Sequence, residues 1–211
     1  MKIRTSSELM AALDKELSWR RLELSSLYLL MQSAQGNEKS ALIRSLVVML
    51  YAHWEGFIKS SSEIFINYIN RQYIKHCDVK NNFAAASLKN IINSLRDTNK
   101  YSLITKLYAQ VIESGENTVE ISATVETKSN LKKEIFEEII HLLGFSFDRY
   151  DTSLNFINSL VNDRNSIAHG EFLPINESKY KEMEEKTLSI MEMFKEDIQN
   201  SCTARSFKKE S

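Results

Sequence analysis

The stretch of this chain best equipped for chemistry is Asn162-Asp163-Arg164-Asn165-Ser166-Ile167-Ala168-His169-Gly170. A permanently charged guanidinium precedes an imidazole with four residues between them, and the carboxamide of Asn165 follows the arginine directly. Arginine grips phosphate through parallel N–H donors, and imidazole is the side chain whose ordinary titration range lies nearest neutrality. The pair therefore suits chemistry on a phosphodiester. Arg164 can hold the phosphate and offset the extra charge of a pentacoordinate transition state. His169 can take a proton from a ribose 2′-hydroxyl or give one to the departing 5′-oxygen. Asn165 can orient the phosphate or the imidazole. Such cleavage needs RNA as substrate, leaves a 2′,3′-cyclic phosphate and calls for no metal or other cofactor. The plainer alternative is structural: Arg164 pairs with Asp163 or Glu171, and His169 faces the negative end of a helix.

In a regular helix five residues turn the chain through about 500°, so Arg164 and His169 would point about 140° apart. Either the helix ends at His169, as Gly170 permits, or the site is completed from elsewhere. A two-fold homodimer meets the second condition, because it brings both copies of the motif to one seam.

The elements that must position this motif are helical. Thr5-Ser6-Ser7-Glu8 has capping-box form, and Leu9, Leu13, Leu17, Leu24, Leu27 and Leu30 follow at helical intervals, predicting a first helix to about Ala34. A second runs from Lys39 to about His76. Its middle, Leu46 to Ala52, is apolar on every side, which predicts a place at the centre of a bundle, enclosed by other helices. Phe83–Leu95 and Tyr101–Ile112 read as two helices broken near Asp97-Thr98-Asn99. Between Val119 and Val125 apolar and polar residues alternate, the one β signal in the chain, predicting a short strand-like insertion with an edge free to pair. Helical pattern returns from Asn130-Leu131 to Leu143, with Gly144 as C-cap. The next helix, capped by Asp151 or Thr152, buries Leu154, Ile157, Leu160, Val161 and Ile167 and ends at His169-Gly170. A last helix starts near Asn176 with Tyr180, Met183, Thr187, Ile190, Met191 and Phe194 inward. The expected architecture is all-α: one domain over residues 1–200, with a polar, disordered tail over 201–211.

Bulk properties agree. The chain has 211 residues, 43% hydrophobic and 26% charged, with only five Gly and one Pro to break helices. Twenty-seven Lys and Arg against 28 Asp and Glu give a formal charge of −1, which argues against a protein that coats duplex nucleic acid. Cys77 and Cys202 match no zinc spacing and read as free thiols in a reducing compartment. Polar residues follow Met1-Lys2-Ile3-Arg4, so no signal peptide is expected; Leu46–Ala52 is too short to cross a bilayer, and the expected location is the cytoplasm.

Arg164-Asn165-Ser166-Ile167-Ala168-His169-Gly170 resembles the Arg-x4-6-His signature of the HEPN superfamily. Arg44-Ser45 with Leu50-Tyr51-Ala52-His53-Trp54-Glu55-Gly56-Phe57 resembles the central helix of the HEPN group named after the MAE_28990 and MAE_18760 proteins, and Ser129-Asn130-Leu131 and the closing helix fit that group too. The likeness spans about residues 38–200. It implies a bundle of four to five core helices, dimerising with its motifs across the seam. It also implies a metal-independent endoribonuclease, a toxin or effector of a prokaryotic defence system restrained by an antitoxin or a neighbouring gene product. Carried over by position, Arg164 and His169 are the catalytic pair and Asn165 the polar accessory. The insertion at 119–125 is a departure from the minimal bundle.

His53 and Glu55 flank Trp54 on the central helix, and either could support Arg164. Tyr51, Trp54 and Phe57 read as core, and Trp19 with Arg20-Arg21 as a solvated helix face. His76 and His141 carry no assignment. Three rival readings remain: a non-catalytic HEPN module that binds RNA, nucleotide or a partner protein; a seam whose nearest tyrosine, Tyr150, is modified by a partner enzyme; and a helical adaptor.

Overall fold

Thr5 opens the first helix as the sequence predicts: its Oγ1 accepts from the Glu8 N–H at 3.2 Å, and the Glu8 carboxylate accepts from the Thr5 N–H at 3.0 Å. The computed structural model describes residues 3–96, 99–125, 127 and 130–209, leaving out the side chains of Leu95 and Arg96. Among these lie eight α-helices and no named strand: α1 (Ser6–Ser33), α2 (Gly36–Asn70), α3 (Asn81–Ser87), α4 (Lys89–Arg96), α5 (Tyr101–Glu113), α6 (Lys133–Leu143), α7 (Leu154–Ala168) and α8 (Glu177–Ala204). Residues 97–98, part of the expected break, and Ser129 lie outside the described residues.

The 35-residue α2 is the axis, about 52 Å long. It packs against α1, α7 and α8, and Leu46, Val47, Leu50, Trp54, Phe57, Ile58 and Phe65 are buried along it. As a whole α2 is long and apolar enough to cross a bilayer, which Leu46–Ala52 alone is not; half of its most apolar window is buried in the bundle. Full enclosure of Leu46–Ala52 is corrected. Ala41, Ser45, Ala52 and Lys59 are exposed and Val48 is half-buried, so one long face of α2 stays open. Helical spacing puts that face between the flank meeting α1 through His53 and the flank meeting α7 through Tyr51.

The strand-like insertion is corrected too. Val119, Ile121 and Val125 are buried as the alternation requires, but the segment lies along α2 and pairs with no sheet. The Val119 N–H donates to the Ile74 carbonyl at 2.8 Å, and side chains meet other backbone groups of the segment. Asn70 brackets Ile121, donating to its carbonyl at 2.8 Å and accepting from its N–H at 2.9 Å; the Ser87 hydroxyl accepts from the Glu120 N–H at 3.0 Å, and the Glu63 carboxylate from the Val125 N–H at 3.3 Å. A period of two reports one buried face, whatever covers it.

The disordered tail is a third correction. The chain continues in α8 to Ala204, Cys202 and Phe207 are buried, and the Lys80 N–H donates to the Phe207 carbonyl at 2.9 Å. Phe207 packs edge-on against Phe65 and Tyr68, an anchor hidden in a polar stretch. Lesser shifts have local causes. Leu88 splits the expected 83–95 helix into α3 and α4, and a 3-10 turn over Asp148–Ser153 replaces a cap from Asp151 or Thr152. α6 starts at Lys133 because Lys132, its N-cap, is extended. Gly144 caps α6 at φ +72° and Asn176 caps α8 by accepting from the Lys179 N–H, both as expected.

Candidate functional site

Arg164 lies half-buried on α7, on the flank turned to α2. Its guanidinium carbon sits 4.1 Å from the centre of the Tyr51 ring, well inside the range of cation–π attraction. Its Nη2 donates to Asn130 Oδ1 at 2.6 Å. Tyr51 is 3% exposed, and its hydroxyl accepts from the Leu131 N–H at 2.7 Å. Two adjacent residues of the segment entering α6 therefore grip the two partners: Asn130 holds the arginine and Leu131 the tyrosine beneath it. Burial pushes the Tyr51 phenol above its usual range; the Leu131 N–H and Arg164 pull it down, and Glu55 pushes it up.

Glu55 is half-buried one turn beyond Tyr51 on the same flank of α2, so it belongs to this neighbourhood. His53 does not. It faces α1, with Nε2 at 2.9 Å from Glu23 Oε2 and its ring edge-on to Trp19 at 5.2 Å. Burial lowers its pKa, Glu23 opposes that and Arg20 reinforces it. The expectation that it could support Arg164 is corrected by helix geometry, since positions 51 and 53 point about 160° apart. Arg20 is likewise no solvated residue: it is 4% exposed, paired with Glu16 and stacked on Trp19 at 4.4 Å.

α7 is regular through Ala168, and His169 is its C-cap, with φ −85° and ψ 5°. The end closes as a Schellman motif: the Glu171 N–H reaches the Ser166 carbonyl at 2.9 Å and the Gly170 N–H the Ile167 carbonyl at 3.0 Å, with Gly170 at φ +82°. This fixes His169 as an exposed side chain at the helix tip, about 7.5 Å along the axis from Arg164. Asn165 is half-buried, and its carbonyl accepts from the His169 N–H at 2.9 Å. Asp163, next to Arg164, has its carboxyl pushed up by burial, with Lys179 opposing. One chain thus carries all three motif residues on one helix without turning Arg164 and His169 toward a common point. A hollow beside Phe156 and Lys186 and another beside Glu138 and His141 contain neither residue. Among the described residues no three His, Cys, Asp or Glu side chains converge as a metal site would require.

Two features of this neighbourhood were not legible as such. Tyr51 reads as plain core, and Asn130 meets Arg164 across 34 positions that no local spacing reveals. The i to i+4 spacing of Tyr51 and Glu55 was the available signal. Tyr150 is fully buried and its hydroxyl donates to Asp197 at 2.6 Å, so it offers no acceptor for modification.

The family model described as RiboL-PSP-HEPN matches residues 15–200 of the chain. The match shows the HEPN superfamily; it does not bear on the narrower group named after the two MAE proteins. No curated protein and no solved structure matches the chain.

Proposed function

Because this chain belongs to the RiboL-PSP-HEPN family, a fold that points to cleavage or binding of RNA, we propose that it is a metal-independent endoribonuclease working as a homodimer. The observation that carries this reading is the division of labour along α7. Arg164 is held on the Tyr51–Asn130 bed, as a phosphate grip should be, while His169 stands exposed on a fixed helix tip about 140° away. A second copy seated on the open face of α2, beside Arg164, would bring two such helices to one groove.

In that groove one imidazole takes the proton of the ribose 2′-hydroxyl as its oxygen attacks phosphorus. The bond from phosphorus to the 5′-oxygen breaks, the second imidazole protonates that oxygen, and a 2′,3′-cyclic phosphate remains. Arg164 offsets the charge that builds on the phosphoryl oxygens, and Asn165 orients the imidazole or the phosphate. Such an enzyme fits a cytoplasmic toxin or defence effector, held in check by an antitoxin or neighbouring gene product.

The test is incubation of the full chain with cellular RNA in EDTA, beside His169→Ala. Discrete fragments with cyclic phosphate ends from the wild type alone support the reading. Equal RNA patterns from both proteins, with folding intact, would replace it with a binding module. If the groove needs both imidazoles, mixing in His169→Ala subunits should lower activity as the square of the wild-type fraction, not in proportion to it.

A further inference from the structure

Three residues past His169 stands Phe172, 76% exposed. Burial alternates along this loop, with Leu173 and Ile175 half-buried and Phe172 and Pro174 exposed. A phenyl ring this exposed adds little to the core. It is not bare, however. The Arg44 guanidinium carbon lies 5.1 Å from its centroid, and Arg44 Nη1 donates to Ser40 Oγ at 3.2 Å. One face of the ring thus carries a cation, and the exposure leaves the other open to a planar partner.

The location matters as much as the chemistry. α2 and α7 run antiparallel, with Tyr51 opposite Arg164 and Arg44 opposite the loop that follows α7. Arg44 lies seven residues, or about 10 Å, along α2 from Tyr51. The Arg44–Phe172 pair therefore stands at the end of α7 that carries His169, with Arg164 about 7.5 Å back along the helix. Single-stranded nucleic acid is held by this pairing of an aromatic platform for a base with a cation for the adjoining phosphate.

We propose that Phe172 and Arg44 form a nucleotide subsite beside His169: a base of single-stranded RNA stacks on the open face of Phe172, and Arg44 takes the neighbouring phosphate. The choice of RNA over other polynucleotides rests on the ribonuclease reading above; the stacking and charge do not. A second copy of the chain seated on the ring is the competing occupant. The presence of Arg44 on one face, and of the motif histidine three residues away, favours the nucleotide.

The experiment uses full-length His169→Ala protein and fluorescein-labelled oligouridine carrying one 2-aminopurine. Adding Phe172→Ala should weaken binding roughly five- to 150-fold and remove the quenching of 2-aminopurine that stacking causes. Phe172→Trp should restore both. Arg44→Ala should flatten the slope of log affinity against log salt by about 0.7, the share of one phosphate on a single strand. Unchanged affinity and quenching in Phe172→Ala would overturn the subsite. So would a shift from dimer to monomer in light scattering with RNA affinity intact, which would make the ring a protein contact. If the wild type binds with Phe172-dependent quenching but cuts no RNA, the subsite stands and the nuclease reading falls. Cutting at the wild-type rate and KM by Phe172→Ala gives the reverse.

Discussion

Arg164 and Tyr51 lie face to face across the α2–α7 seam, the guanidinium 4.1 Å from the ring centre, with the tyrosine hydroxyl tied to the Leu131 N–H. The ring and the hydroxyl do separable work. Tyr51→Phe keeps the platform but leaves the buried Leu131 N–H unsatisfied, and should cost about 1–3 kcal/mol of stability. Tyr51→Ala removes the platform as well and should cost about 3–5 kcal/mol, the range of large-to-small core changes. Urea unfolding reads both. Cleavage by Tyr51→Phe should stay within a few-fold of wild type, whereas a refolded Tyr51→Leu, apolar but without the ring, should lose activity out of proportion to its stability.

Asn130 accepts from Arg164 at 2.6 Å and is half-buried. Asn130→Asp keeps the shape and adds a negative charge where the proposed phosphate would compete for the same guanidinium. Stability should hold or rise, while cleavage falls by about a hundredfold, the scale on which one charge-stabilising donor matters. Activity retained in Asn130→Asp would remove Arg164 from the phosphate-binding role.

These two residues show what the sequence could and could not tell. The helices with strong periodicity and a cap, such as α1 behind Thr5 and α8 behind Asn176, were legible because the signal is local. So was the end of α7, where Gly170 takes a left-handed turn no other residue type takes as cheaply. The open face of α2 was not legible: Leu46–Ala52 is apolar all round, and which side stays uncovered depends on where α1 and α7 dock. The bed under Arg164 joins residues 51, 130 and 164, a tertiary fact with no periodicity behind it. The pattern at 119–125 reported burial truthfully and its partner misleadingly.

Gly170 holds φ at +82°, and a Cβ there would meet nothing within 4 Å. A substitution therefore meets backbone strain and no clash. Gly170→Ala should cost about 1–2 kcal/mol and Gly170→Asn less, since asparagine tolerates the left-handed region. Because this residue fixes the tip that presents His169, cleavage should fall further than thermal unfolding alone would suggest. Equal loss of activity and stability across the two variants would make the cap merely structural.

Phe207 is 1% exposed between Phe65 and Tyr68. Phe207→Ala should destabilise the chain by about 3–5 kcal/mol, and truncation after Arg205 by at least as much. An exposed-tail substitution such as Lys209→Ala should stay within about 0.5 kcal/mol. Urea midpoints of the three variants decide whether the C-terminal segment is a structural part of the bundle.

His53 supplies a pH dependence of known sign. Burial lowers its pKa below the ordinary 6.5 despite the Glu23 carboxylate at 2.9 Å, so the folded protein holds it neutral where the unfolded chain would protonate. As pH falls below 6.5 the unfolded state binds the extra proton first. The stabilisation is thus complete above the unfolded value and is lost as pH drops through the lowered folded one. His53→Phe keeps a ring against Trp19 and cannot protonate; its loss of stability over that acidic interval should be smaller than that of the wild type. Urea midpoints measured on both proteins from neutral to mildly acidic pH test this, and parallel curves would rule it out. The variant also has a use in enzymology. An acid limb of cleavage that persists in His53→Phe belongs to the reaction, and one that vanishes belongs to the fold.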